Sequence, residues 1–132
     1  MEKLIVIIER GAEDYGAWAD NIPGIYASGD SVAEVKKDVE EAIRLYKENN
    51  TAIPECLQGE DIEIEYHFDT ASFLDFYAKI FSKSALERIT GINQKLLGHY
   101  AAGLKKPRKP QVEKIDKAMR QFIDDLSQVH LV

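Results

Sequence analysis

The chain has 132 residues, 45% of them hydrophobic and 30% charged, with a formal net charge of −6. Those proportions are ordinary for a soluble globular protein, of one domain or two very small ones, so disorder is not the default. No apolar run approaches the ~20 residues of a membrane span, and a single cysteine, Cys56, excludes an internal disulfide and fits a reducing, cytoplasmic setting.

Leu4–Ile8 is short, continuous and β-branched, which predicts a strand buried on both faces; it is too short for a signal peptide and has no cleavage site. Residues 9–14 form a turn, and the alternation of residues 15–20 predicts a second strand closing a hairpin. Pro23-Gly24 is turn chemistry, followed by a short third strand over residues 25–27. Ser31 with Glu34 predicts a capping box, with Asp30 adding negative charge at the helix start and Gly29 a special backbone angle before it. Val32, Val35, Val39, Ala42, Ile43 and Tyr46 then recur at helical spacing until Asn49-Asn50 and Pro54 stop the helix. From Glu60 to Asp69, apolar Ile62, Ile64, Tyr66 and Phe68 alternate with polar residues, as a half-buried strand does. Residues 1–69 are therefore expected to form a β-β-β-α-β domain, small enough to lean on a partner or a copy of itself.

No strand is predicted from residue 70 onward, so the class is α+β with an all-α second domain over 70–132. Phe73, Leu74, Phe76, Tyr77, Ile80 and Phe81 suggest an aromatic-rich helix. Ser84 with Glu87 offers a second capping box for a short helix that Gly91 ends; Asn93 is a natural N-cap for the next, and Gly103 suits its C-terminal left-handed position. Val112, Ile115, Met119, Phe122, Ile123 and Leu126 trace one face of a last helix.

Charge divides between these halves. Residues 1–70 carry 6 Lys/Arg against 17 Asp/Glu, whereas residues 71–132 carry 11 against 6. All 11 of the latter lie between Lys79 and Arg120, beside two helices joined at a glycine. This is the arrangement of a helix-turn-helix, in which the second helix enters the major groove of double-stranded DNA. Ile92, Leu96, Leu97 and Tyr100 would hold that helix on the first. Asn93, Gln94 and Lys95 stand on its free face, with Gly98 and His99 one turn on; Gln suits adenine and Lys the acceptors of guanine. Lys105, Lys106, Arg108 and Lys109 follow, placed to grip phosphate, and Ser84 joins the expected DNA contacts. From Phe73 to Leu126 the segment resembles the phage-repressor type of helix-turn-helix, with Leu96 and Ala101-Ala102 making its recognition helix more apolar than usual. Such a unit reads one half-site, so a homo-oligomer, dimer or tetramer, is expected.

In the acidic half, Asp20-Asn-Ile-Pro23-Gly24 and Gly29-Asp30-Ser31-Val-Ala-Glu34 resemble the N-terminal domain of HicB antitoxins, with one extra residue before the proline. The resemblance implies a partial RNase H-like domain that sequesters a HicA-type toxin, a small basic mRNA-cleaving protein. It implies a toxin-binding face drawn from Tyr15, Trp18, Asp20, Tyr26 and Asp30, and a C-terminal domain that represses the chain's own operon. An acidic surface suits a basic partner, since opposite charge steers encounter.

Catalysis is not expected. A nuclease of the RNase H type gathers carboxylates on divalent metal, one of them within the first strand; Leu4–Ile8 carries none and Glu9 only follows it. His67, His99 and His130 are scattered, so no metal site or cofactor is expected. The function expected is a type II antitoxin and autorepressor. The alternative is a DNA-binding regulator whose first domain senses a ligand or mediates assembly without a toxin.

Overall fold

The computed structural model describes residues 2–132 as a mixed α/β chain with one four-stranded sheet and five α-helices. It divides into two compact units, Met1–Ser72 and Phe73–Val132.

In the first unit, β1 (Leu4–Arg10), β2 (Tyr15–Ala19) and β3 (Tyr26–Gly29) form an antiparallel meander, and β4 (Ile64–Phe68) adds parallel to β1. The strand order is β3-β2-β1-β4. Helix α1 (Val32–Asn49) supplies the crossover that parallel strands require. Its buried Val32, Val35, Val39 and Ile43 meet Leu4, Val6 and Ile8 on one face of the sheet. The opposite face carries Ile5 and Ile7, which stay partly exposed, so β1 is not buried on both faces as its apolar run suggested. A continuous apolar run specifies a strand but not how many of its faces are covered. β4 is also shorter than the alternation of residues 60–69 predicted, because the ladder with β1 spans only the pairs from Leu4–Ile64 to Ile8–Phe68.

Local chemistry sets the entry to α1. Gly24, with φ 95°, takes the left-handed position of the Pro-Gly turn. Ser31 Oγ accepts the N–H of Glu34 at 3.1 Å, and Glu34 Oε2 returns to the N–H of Asp30 at 2.9 Å, one residue earlier than in an ordinary capping box. Gly29 is required for space rather than for an unusual angle: a Cβ there would lie 2.8 Å from the Val35 nitrogen and 2.8 Å from Glu34 Cβ. At the other end the amides of Asn49 and Asn50 donate to the carbonyls of Leu45 and Tyr46, satisfying acceptors the helix leaves open.

The second unit is helical. Helix α2 (Thr70–Tyr77) begins in the first unit and ends short of the predicted Phe81. The N–H groups of Ile80 and Phe81 both bond to the Tyr77 carbonyl, closing a turn that leaves Ile80 exposed. Helix α3 (Lys83–Thr90) is capped by Ser82, whose hydroxyl accepts the Ala85 N–H at 3.1 Å. Ser84 is therefore not the cap, and lies exposed in the first turn; a serine two residues upstream won because its extended backbone follows directly from that turn. Helices α4 (Gln94–Ala101) and α5 (Lys109–Ser127) complete the unit. Its core gathers Leu74, Leu86, Ile92, Leu97, Tyr100, Ile115 and Met119. The apolar face of α5 is only partly used, since Val112, Ile123 and Leu126 are exposed.

Candidate nucleic-acid interface

The turn between α3 and α4 is held by three residues. Gly91 takes φ 75°, a left-handed conformation that an L side chain adopts only under strain, and its N–H closes on the Glu87 carbonyl at 2.7 Å. Thr90 is buried; its hydroxyl donates to the Leu86 carbonyl at 2.7 Å and accepts the Ile92 N–H at 3.1 Å. Glu87 then reaches across, its Oε1 accepting the N–H of Gln94 at 2.9 Å. Asn93 caps α4 by accepting the Lys95 N–H at 2.8 Å. The Glu87 side chain is thus spent on the start of α4, not on a capping box with Ser84. A carboxylate at a helix N-terminus is a favourable place for that charge.

This turn sets the face that α4 offers outward. Leu97 and Tyr100 are buried, and Leu96 and Ala101 pack partly buried against the same core. The apolar character of the helix is thereby assigned to its inner side. Gln94, Lys95, Gly98 and His99 line a shallow hollow of about 370 Å³, and Lys83 from the first turn of α3 completes it. A Cβ on Gly98 would meet Lys83 Nζ at 3.3 Å, so the lysine lies directly over the glycine. Two ammonium groups, a carboxamide and an imidazole on a smooth glycine floor make a surface suited to base edges and phosphate. Sequence reasoning did not find Lys83. Its position at the start of α3, beside Ser84 in the basic segment, was the available signal.

The basic connection begins where α4 ends. Gly103, with φ 76°, turns the chain, and the N–H groups of Leu104 and Lys105 bond to the His99 carbonyl at 2.9 and 3.3 Å. Lys105, Lys106, Arg108 and Lys109 are all exposed. Arg108 is the N-cap residue of α5, without a side-chain capping bond, and Pro110 sits in that helix's first turn where its missing N–H costs nothing. The Gln111 side chain donates to Tyr100 Oη at 3.4 Å, tying α5 back to α4.

In the first unit the residues expected at a toxin surface separate. Trp18 and Tyr26 pair across β2 and β3 on the sheet face that also bears Ile7, and Tyr26 is 72% exposed. Tyr15 lies on the other face and packs against the core, so it does not belong with them; in a strand the odd and even positions point oppositely, and 15 does not share the parity of 18. Asp20 is exposed, its N–H bonded to the Ile5 carbonyl at 2.7 Å. Asp30 is exposed at the entry to α1. Among the described residues, no cluster of three or more His, Cys, Asp or Glu side chains is arranged to hold a metal ion, and no helix is long and apolar enough to cross a membrane.

No protein-family model matches the chain, and neither the curated proteins nor the solved structures contain a match to it.

Proposed function

We propose that this chain is an antitoxin and transcriptional autorepressor of the HicB kind. Its second unit binds operator DNA, and its acidic first unit sequesters a small basic HicA-type toxin that cleaves mRNA. It acts by binding, without catalysis or a cofactor. The observation that carries the DNA-binding half is the hollow in which Lys83, Gln94, Lys95 and His99 surround Gly98 at the free face of α4. The capped turn at Gly91 holds that helix in place, and the four exposed cations that follow supply sequence-independent attraction to phosphate.

On this reading the first unit, with its β-β-β-α-β order, is a partial RNase H-like domain. The partly exposed Trp18 and the exposed Tyr26 are the anchors it offers to the toxin. Aromatic residues on an otherwise acidic unit suit a basic partner, because the apolar contacts hold what the charges steer.

Two measurements test the two halves separately. Gln94→Ala or Lys95→Ala should cost ~1–3 kcal/mol on a selected operator and far less on random DNA. Equal losses on both would remove the base-reading role. Tyr26→Ala, at an exposed position, should weaken capture of the product of an adjacent short basic reading frame while leaving operator binding unchanged. If the intact protein ignores that product, the regulator without a toxin becomes the better account.

A further inference from the structure

We infer that Glu87 is a positioning residue for the DNA-reading helix. Its carboxylate fixes the start of α4 and keeps phosphate away from it, so that Gln94 meets base edges. This rests on the proposed DNA-binding function and names the residue that turns general attraction into discrimination.

The first observation is that Glu87 holds both sides of the turn. Its main-chain carbonyl accepts the Gly91 N–H at 2.7 Å, and its Oε1 accepts the Gln94 N–H at 2.9 Å. Asn93 Oδ1 takes the next N–H, that of Lys95, at 2.8 Å. The N–H groups in the first turn of a helix are a natural seat for phosphate. On α4 the first two are already occupied, one of them by a carboxylate. A DNA phosphate brought there meets like charge and finds no free donor at either residue. The seat is closed to the DNA backbone, and the Gln94 side chain, which lines the hollow, is left to the bases.

The second observation is the charge around it. Residues 79–112 carry eight Lys or Arg and a single acidic residue, Glu87. Among the described residues Glu87 makes no ion pair, so its charge is not cancelled within the chain. Lys83, one turn earlier on α3, has the spacing to pair with it but reaches over Gly98 instead. Repulsion beside Gln94 and attraction beside Gly98 together fix where along α4 a phosphate can settle. A uniformly basic helix start would accept phosphate in several registers, which serves affinity but not discrimination. A purely structural cap needs only an acceptor for the Gln94 N–H, which glutamine also supplies at a small loss against the helix dipole. The charge is what discrimination requires.

Glu87→Gln in the full chain separates the charge from the hydrogen bond. The probes are a duplex that the wild type selects from a randomised pool and a random duplex of the same length, titrated at fixed salt. The variant should melt close to the wild type and bind the random duplex roughly two- to fivefold more tightly. It should gain nothing on the selected duplex, so the ratio of the two affinities falls by the same factor. In a Gln94→Ala background the substitution should tighten both duplexes equally and leave their ratio unchanged. A variant that keeps wild-type discrimination overturns the proposal while the DNA reading stands. So does a ratio that falls just as far in the Gln94→Ala background, since Glu87 would then not act at Gln94. A large drop in melting temperature would make Glu87 a structural cap only and overturn it as well. A wild type that selects no duplex removes the DNA reading itself.

Discussion

Gly98→Ala should make the protein more stable and a worse DNA binder. Gly98 sits inside α4, where glycine is about 0.8–1 kcal/mol less favourable than alanine. Its backbone is not left-handed, so alanine meets no conformational penalty there. The new methyl would touch only the flexible end of Lys83, with Nζ at 3.3 Å, Cε at 3.6 Å and Cδ at 3.7 Å. Lys83 is an exposed side chain and can swing aside at little cost. The balance is a gain of about 1 kcal/mol, which in a unit this small raises the melting temperature by about 4–8 °C. The same methyl fills the floor of the hollow, displaces Lys83 and holds α4 off the bases, so affinity for a selected operator should fall by ~1–3 kcal/mol. Thermal melting of the intact chain, followed by circular dichroism, and operator titration at fixed salt measure the two effects. A lower melting temperature would mean that position 98 is tightly packed, and unchanged affinity would mean that this face of α4 does not meet DNA. Either result refutes the reasoning.

Other outcomes follow from the same geometry. Replacing Lys105 and Lys106 by glutamine should reduce the steepness of log K against log salt by about 1 for each phosphate that is no longer neutralised, with equal effect on specific and random DNA. Thr90→Val keeps the shape but strands the buried Ile92 N–H, so it should destabilise the second unit by about 1–3 kcal/mol in denaturant melts, whereas an unchanged midpoint would show that the N–H finds another acceptor. Burial, followed by the nearby Glu2 charge, pushes the Cys56 thiol above its ordinary value and keeps it in the unreactive protonated form. Alkylation should therefore be slow in the native protein at neutral pH and speed up on unfolding; rapid native modification would contradict the burial.

Much of the candidate site was legible because its signals are local. Gly91, Asn93 and Gly103 act through their own backbone or the residue beside them, and each does in the structure what its type suggests. The spacing of Leu97 and Tyr100 told which side of α4 faces inward. Lys83 was missed because its relation to Gly98 crosses from one helix to another, a separation no periodicity records. Ser84 misled because two serines lie within reach of the helix start, and only the path of the preceding turn decides between them. Gly29 misled in another way: sequence suggests conformational freedom for any glycine, but this one is needed for the close approach of β3 to the first turn of α1.

The amino-acid sequence by itself determined most of the segments: which stretches extend, which coil into helices, and that acid and base are kept in different halves of the chain. These follow from side-chain periodicity, caps and charge, which act over a few residues. Only the tertiary structure decided which faces remain open. It left Ile5 and Ile7 of β1 partly exposed, brought Lys83 over Gly98, and left Ile123 and Leu126 without cover from their own core. An apolar or charged residue carries the same signal whether its partner lies within the chain or outside it. Packing alone separates the two, because it fixes which surfaces the fold has already used.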